Sequence, residues 1–173
     1  MFQKLLIADR GEVVLRIART CERLSIATVA VHSEADARAT HASCCDEAVC
    51  IEPGLTSAAY QNGDAMIAAA KQFGAEAIHP GYGALAQDPT FARAVTASGL
   101  VFVGPLPETL ECFADLPRTR EIARLAGVRV IASAVLDVTD PSTASAAAEE
   151  IGYPLRVGTL ADPSISALAA DET

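Results

Sequence analysis

Two short stretches hold the residue types from which a binding or reacting site is built. The first is "HPGYG" at 79–83, where a histidine and a proline end an apolar run and two glycines flank a tyrosine. His79 can move a proton or hold a ligand near neutral pH. Gly81 and Gly83 let the backbone approach a ligand closely or turn through positive φ, and Tyr82 offers a hydroxyl on an apolar ring. The second is "ADRGE" at 8–12, where Arg10, Gly11 and Glu12 follow another apolar run. A helix opening at Gly11 presents N–H groups and a favourable dipole to a small anion or an anionic metabolite. Residue types alone leave two readings of HPGYG open. It is a loop that touches a ligand, or a turn whose histidine is satisfied internally.

The elements that must position these loops alternate. "KLLIAD" (4–9), "ATVAVHS" (27–33), "EAVCI" (47–51), "AEAIHP" (75–80) and "LVFVGP" (100–105) are short apolar runs of buried parallel-strand type. Between them lie helical patterns. In 10–24, Val14, Ile17, Ala18, Cys21 and Leu24 share one face. Residues 63–73 form a helix ended by Gly74, with Ser57, after the "PGLTS" turn, as its expected cap. Residues 88–99 start on Asp88-Pro89 and stop at Gly99. Helices follow at 107–114, 117–127 and 140–152, with extended pieces at 128–133 and 153–159. The last segment, "LADPSISALAADET", is expected to be a short helix or a frayed tail. Strands spaced by helices give βαβ units and a parallel sheet with helices on both faces. Ligands of such folds sit at the carboxyl ends of the strands, after residues 8, 32, 79 and 103 here.

Bulk properties narrow the function classes. The formal net charge of −9 argues against nucleic acid as a partner. No apolar run reaches the length of a membrane span, and "MFQKLLIADRGE" meets charge too early for a secretory signal. A cytoplasmic protein is expected. The five cysteines (Cys21, Cys44, Cys45, Cys50 and Cys112) form no CxxC pair and lack zinc-ligand spacing, so no metal site is expected. They read as small buried hydrophobes.

"ADRGE", "TVAVHSEADARATHASCCDEAVCI", "HPGYG", "VGP" and "IGYP", in this order and at these spacings, resemble the N-terminal domain of biotin carboxylase. That is the ATP-grasp component of acetyl-CoA, propionyl-CoA and pyruvate carboxylases. The resemblance runs from residue 2 to about 157. It implies a Rossmann-like preATP-grasp domain over 1–113, the start of the ATP-grasp region over 114–159 as a short, mainly helical extension, and a tail over 160–173. Family enzymes use ATP, magnesium or manganese, and bicarbonate to carboxylate biotin on a carrier protein, and they commonly dimerise. The resemblance places the HPGYG loop beside the biotin and bicarbonate pocket.

The sequence departs from the family pattern at informative places. After HPGYG the family continues Phe-Leu-Ser-Glu-Asn. Here "ALAQD" follows, so Ala84 replaces an aromatic and Gln87 a carboxylate. The lysine that reaches the nucleotide phosphates is replaced by Leu116, followed by Pro117. A second ATP-binding lysine, after Ile-Gly-Tyr-Pro and a short strand, is replaced by Gly158, and no glycine-rich lid follows. Phosphate contact needs fixed positive charge or a run of N–H groups, and Leu116 supplies neither. On the first helix, Arg16, Arg19 and Arg23 form a basic stripe where the family's dimer interface lies, with Arg23 in place of an acidic residue. That stripe is a solvated face or a changed partner preference.

The expectation is therefore a non-catalytic domain with no bound cofactor. It acts by interaction with a carboxylase subunit, a biotin carrier protein or a second copy of itself. A split ATP-dependent ligase completed in trans and a small-ligand binding domain are the alternatives.

Overall fold

The computed structural model describes residues 1–52, 57–136, 141–159 and 166–170. The turn expected at 53–56 lies outside them, as does Asp140 of the Asp-Pro helix start. The chain divides into two compact units, Met1–Glu111 and Cys112–Thr173.

In the first unit, β1 (Lys4–Ile7), β2 (Ala27–Ser33), β3 (Glu47–Glu52), β4 (Ala77–His79) and β5 (Val101–Phe102) form a sheet of order β3-β2-β1-β4-β5. Every pairing is parallel. Five helices belong to the same run of chain: α1 (Glu12–Leu24), α2 (Thr40–Ser43), α3 (Gly63–Gln72), α4 (Pro89–Ala97) and the start of α5 (Pro107–Ala114). Successive strand side chains face opposite sides, and β1 shows the consequence. Leu6 and Ala8 join Val29, Val31 and Ile78 under Met66, Ala69 and Ala70 of α3 and Phe91 and Val95 of α4. Leu5 and Ile7 join Ala77 on the other face, under Val14, Ala18 and Cys21 of α1. Burial on both faces is why these strands read as continuous apolar runs.

The helix ends are chemically distinct. Asp88 caps α4 by accepting from the Thr90 N–H at 2.8 Å, with Pro89 in the first turn. The cap of α3 is Asn62, whose Oδ1 accepts from the Ala65 N–H at 3.1 Å. Ser57, the expected cap, opens a separate 3-10 turn, Ser57–Gln61, so the helix starts later than the turn signal suggested. Helix α1 stops on Ser25 in the left-handed region at φ 56°, a conformation serine seldom adopts.

The second unit holds the end of α5, α6 (Leu116–Leu125), α7 (Pro141–Ile151), β6 (Leu155–Gly158) and β7 (Ser166–Ala169). The strands pair antiparallel, Gly158 opposite Ser166. This corrects the expectation of a helix or frayed end for the last segment: Ser166–Ala169 is a strand. Its small residues carried no helical or alternating signal, and pairing with β6 decides the outcome. Among the described residues of this unit none is buried. Leu125, Ile131 and Leu168 are exposed. Among the described residues of the chain no helix is long and apolar enough to cross a membrane.

Ile78 is fully buried at the centre of the sheet between β1 and β5. Ile78→Ala is expected to destabilise the first unit by about 2–5 kcal/mol through lost burial and a residual cavity. Urea unfolding followed by circular dichroism measures this. A midpoint unchanged from wild type would contradict the packing described.

Candidate functional site

The carboxyl ends of β1 and β4 lie side by side, because these strands are neighbours in the sheet. The residue that organises their loops is Asp9. Its Oδ2 accepts from the N–H of Tyr82 at 2.9 Å and of Gly83 at 3.2 Å, and its Oδ1 accepts from the N–H of Arg10 at 2.8 Å. Gly81 passes so close that a Cβ built on it would stand 1.9 Å from Asp9 Oδ2, and its φ is +67°. Glycine is required there on both counts. The Gly81 N–H donates to His79 Nδ1 at 3.0 Å. That partner makes Nδ1 the acceptor and leaves the proton of the neutral ring on Nε2. Burial pushes the His79 imidazole below its ordinary range, against the opposing pull of Asp9.

Tyr82 turns outward and remains 63% exposed. Its hydroxyl donates to Glu12 Oε1, tying the loop to the first turn of α1. That bond lowers the carboxyl of Glu12 and raises the phenol of Tyr82. Gly11 is the N-cap of α1 at φ 73°, with no side-chain cap. Gln87, exposed, ends the 3-10 turn Ala84–Gln87, whose Leu85 is buried in the core.

A second cluster stands at the carboxyl end of β2. The register of β2 against β3 shifts between His32 and Ser33, and the Ser33 N–H donates to Tyr60 Oη at 3.1 Å. Tyr60 Oη donates to Asp36 Oδ2 at 2.8 Å and stands 3.4 Å from His41 Nε2. Arg10 pairs with Asp36 at 3.3 Å and lies over the Tyr60 ring, 5.6 Å from its centroid. The hydrogen bond from Tyr60 holds Asp36 below the usual carboxylate range. Burial holds His41 low and Tyr60 high.

Between the two clusters is a cavity of about 160 Å³, lined by Ala8, Asp9, Arg10, Tyr60, Gln61 and residues of the HPGYG turn. Of Arg10, Gly11, His79, Gly81, Tyr82 and Gly83, which a small-ligand cleft at this edge would use, Arg10 and Gly83 line the cavity. The physical reason is internal satisfaction. The Tyr82 and Gly83 N–H groups already face the Asp9 carboxylate, and Arg10 already faces Asp36. This arrangement fits the structural reading of HPGYG better than an open anion cradle. Sequence reasoning missed Asp9, Asp36, His41 and Tyr60. Asp9 had a signal: it is a lone acid at a strand end opposite a glycine loop. The other three meet only through the fold.

The remaining expected residues are dispersed. Arg16, Arg19 and Arg23 are exposed along α1, and Arg16 donates to Thr20 Oγ1 at 2.5 Å. Leu116 opens α6 and is 41% exposed. Asp115 caps that helix, its Oδ1 accepting from the Arg118 N–H at 3.1 Å. Gly158 ends β6.

A five-stranded parallel sheet with these strand-end loops defines an α/β domain of the preATP-grasp kind. The biotin carboxylase N-terminal domain family matches residues 1–110, and the chain belongs to that family. It is 45% identical over 156 residues to a biotin carboxylase of Pseudomonas aeruginosa, covering 90% of this chain and 35% of that protein. It is 41% identical to the mitochondrial propionyl-CoA carboxylase alpha chain of Homo sapiens, covering 90% of this chain and 21% of that one. Among solved structures it resembles a biotin carboxylase from Campylobacter jejuni in complex with a βγ-ATP ligand, with TM-score 0.89 at 32% identity over 99% of this chain and 39% of that chain. The chain thus spans between a fifth and two fifths of these relatives.

Two outcomes test the site geometry. Gly81→Ala is expected to cost about 2–4 kcal/mol, from positive φ and from collision with Asp9. In an Asp9→Ala background the cost should shrink, because the collision is gone. Equal costs in both backgrounds would remove Asp9 from the account.

The pH dependence has a defined sign. His41 and His79 sit below 6.5 in the folded chain, so the unfolded chain takes up protons first as pH falls. Stability is full above 6.5 and declines as pH drops towards the folded values. Asp36 and Asp46, both held low by hydrogen bonds, add a second loss below 3.8. Urea midpoints at pH 7.5, 5.5 and 4 should fall in that order, and His41→Gln should flatten the first step. A rise on acidification would contradict the burial of these imidazoles.

Proposed function

We propose that this chain serves as a biotin carboxylase N-terminal-like domain that does not carry out carboxylation on its own. It docks onto a carboxylase subunit or a biotin carrier protein, in the cytoplasm, where its free thiols suit a reducing compartment. The observation that carries this reading is the contrast at the phosphate positions. The sheet and the Asp9–HPGYG clamp are kept, whereas the two positions matching the family's phosphate lysines hold Leu116 and Gly158. An exposed leucine and a strand-end glycine give a triphosphate no charge to pair with. At these two positions the residues present do not fit the phosphates of Mg-ATP.

A partner is further supported by the second unit, where Leu125, Ile131 and Leu168 stand exposed. An apolar surface of that kind is stabilised by a covering protein. The same observation favours a second reading, a ligase completed in trans by a chain that supplies the phosphate contacts.

Calorimetric titration of the chain with Mg-ATP, bicarbonate present, separates the two. The expected result is no heat of binding. Leu116→Lys with Gly158→Lys should restore measurable affinity if the lysines alone are lacking. Micromolar binding by the wild type would overturn the proposal and make the trans-completed ligase the working reading. Pull-down against biotin carboxylase subunits and biotinylated carrier should then recover a complex, and failure with both would remove the docking role.

A further inference from the structure

Away from the strand-end loops, a cleft of about 660 Å³ opens between α1 and the start of β2. Its wall includes Ala18, Arg19 and Glu22 of α1, Thr28 of β2, and the adjacent thiols Cys44 and Cys45. The two sulfurs stand 3.9 Å apart, and both residues are half-buried. Neighbouring residues rarely bring their sulfurs together on one side of the chain. Here the end of α2 does so: the Cys44 thiol donates to the His41 carbonyl at 3.4 Å, and the Asp46 carboxylate that follows is fixed by the Thr28 N–H at 2.7 Å and the Thr28 hydroxyl at 2.8 Å.

We propose that Cys44 and Cys45 form a vicinal dithiol site for trivalent arsenicals, and more broadly for soft electrophiles that bond two sulfurs at once. Three observations carry it. The sulfur separation is within reach of one soft centre: bonds of about 2.3 Å at the roughly 95° angle of pyramidal arsenic place sulfurs about 3.4 Å apart, half an ångström closer than they stand, a gap that small side-chain rotations close. The pair lines an open cleft, so an organic substituent on the electrophile has room. And although Glu22 and Asp46 line the same cleft, no third side chain completes a metal-ligating group with the pair among the described residues, which disfavours a four-coordinate metal and favours a centre content with two sulfurs.

The alternative fate of the pair, a disulfide between neighbours, is disfavoured by geometry. Bridging needs sulfurs at about 2.0 Å with a torsion that adjacent residues reach only under strain. Burial also pushes the Cys45 thiol up to about 12, so it rests as the neutral thiol that gives up its proton as the sulfur bonds the electrophile.

The reaction balances without an oxidant. An arsenoxide R–As=O meets two thiols, two As–S bonds form, two S–H bonds break, and the oxygen leaves as water carrying both protons. Arsenic and sulfur keep their oxidation states.

Phenylarsine oxide is the probe, with intact-mass spectrometry of the folded chain as the readout. One adduct per chain is expected. It should survive excess mercaptoethanol and be removed by dimercaptopropanol, because two bonds to one centre act as a chelate. Cys44→Ser and Cys45→Ser should each weaken binding by about a hundredfold, while Cys50→Ser and Cys112→Ser should leave it unchanged. In the wild type, fragmentation of the tryptic 39–71 peptide, which also holds Cys50, should place the adduct on Cys44 and Cys45, a measurement that needs no variant to fold. An adduct mapped elsewhere, one retained by either single substitution at 44 or 45, or none formed in mercaptoethanol, would overturn the proposal.

Discussion

The first unit turns on one carboxylate. Asp9 ends β1 and receives the N–H groups of Arg10, Tyr82 and Gly83. Because β1 and β4 are adjacent, their outgoing loops must share the same few ångströms above the sheet. Two loops of N–H donors in that space converge on a common acceptor, and hydrogen bonds to a charged acceptor are the stronger kind. Asp9 is that acceptor, and Gly81 is the only kind of residue that lets the second loop come near enough. Everything else about HPGYG follows. The tight passage at Gly81 turns its N–H onto His79, and Tyr82 is thrown outward to Glu12.

The same logic extends one strand over. Arg10, the next residue along, is held between the Asp36 carboxylate and the face of Tyr60. Tyr60 in turn links Ser33 and Asp36 and borders His41. Four segments thus close over the carboxyl edge of the sheet through contiguous polar contacts. Their buried imidazole and phenol are shifted chiefly by desolvation, with the Asp36 carboxylate raising both.

Much of this was legible from residue order. Runs such as Leu5–Ala8 and Val29–Val31 are apolar on both faces, which only a covered parallel sheet tolerates. Asp88-Pro89 and Gly99 bracket α4 by capping chemistry that works locally. What was not legible depends on distance along the chain. Asp36, His41 and Tyr60 are separated by elements of unrelated pattern, and nothing local says that they meet. The α3 cap shifted from Ser57 to Asn62 because both residue types cap helices and only tertiary packing chooses. Ser166–Ala169 is a strand because β6 is there to pair with it, a preference its small side chains do not encode.

The treatment of anions sets this chain apart more than its fold does. Three turns and helix starts that would suit a phosphate hold an aspartate of the chain itself: Asp9 at HPGYG, Asp88 at α4, Asp115 at α6. An aspartate at a helix start is compatible with nucleotide binding when a lysine next to it restores positive potential. At α6 the neighbour is Leu116, so the N-terminal dipole is already answered by Asp115 and no charge remains for a second anion. On a protein of net charge −9 the surrounding field opposes a triphosphate as well. With Leu116 beside it, this helix start is satisfied from within, by Asp115 alone.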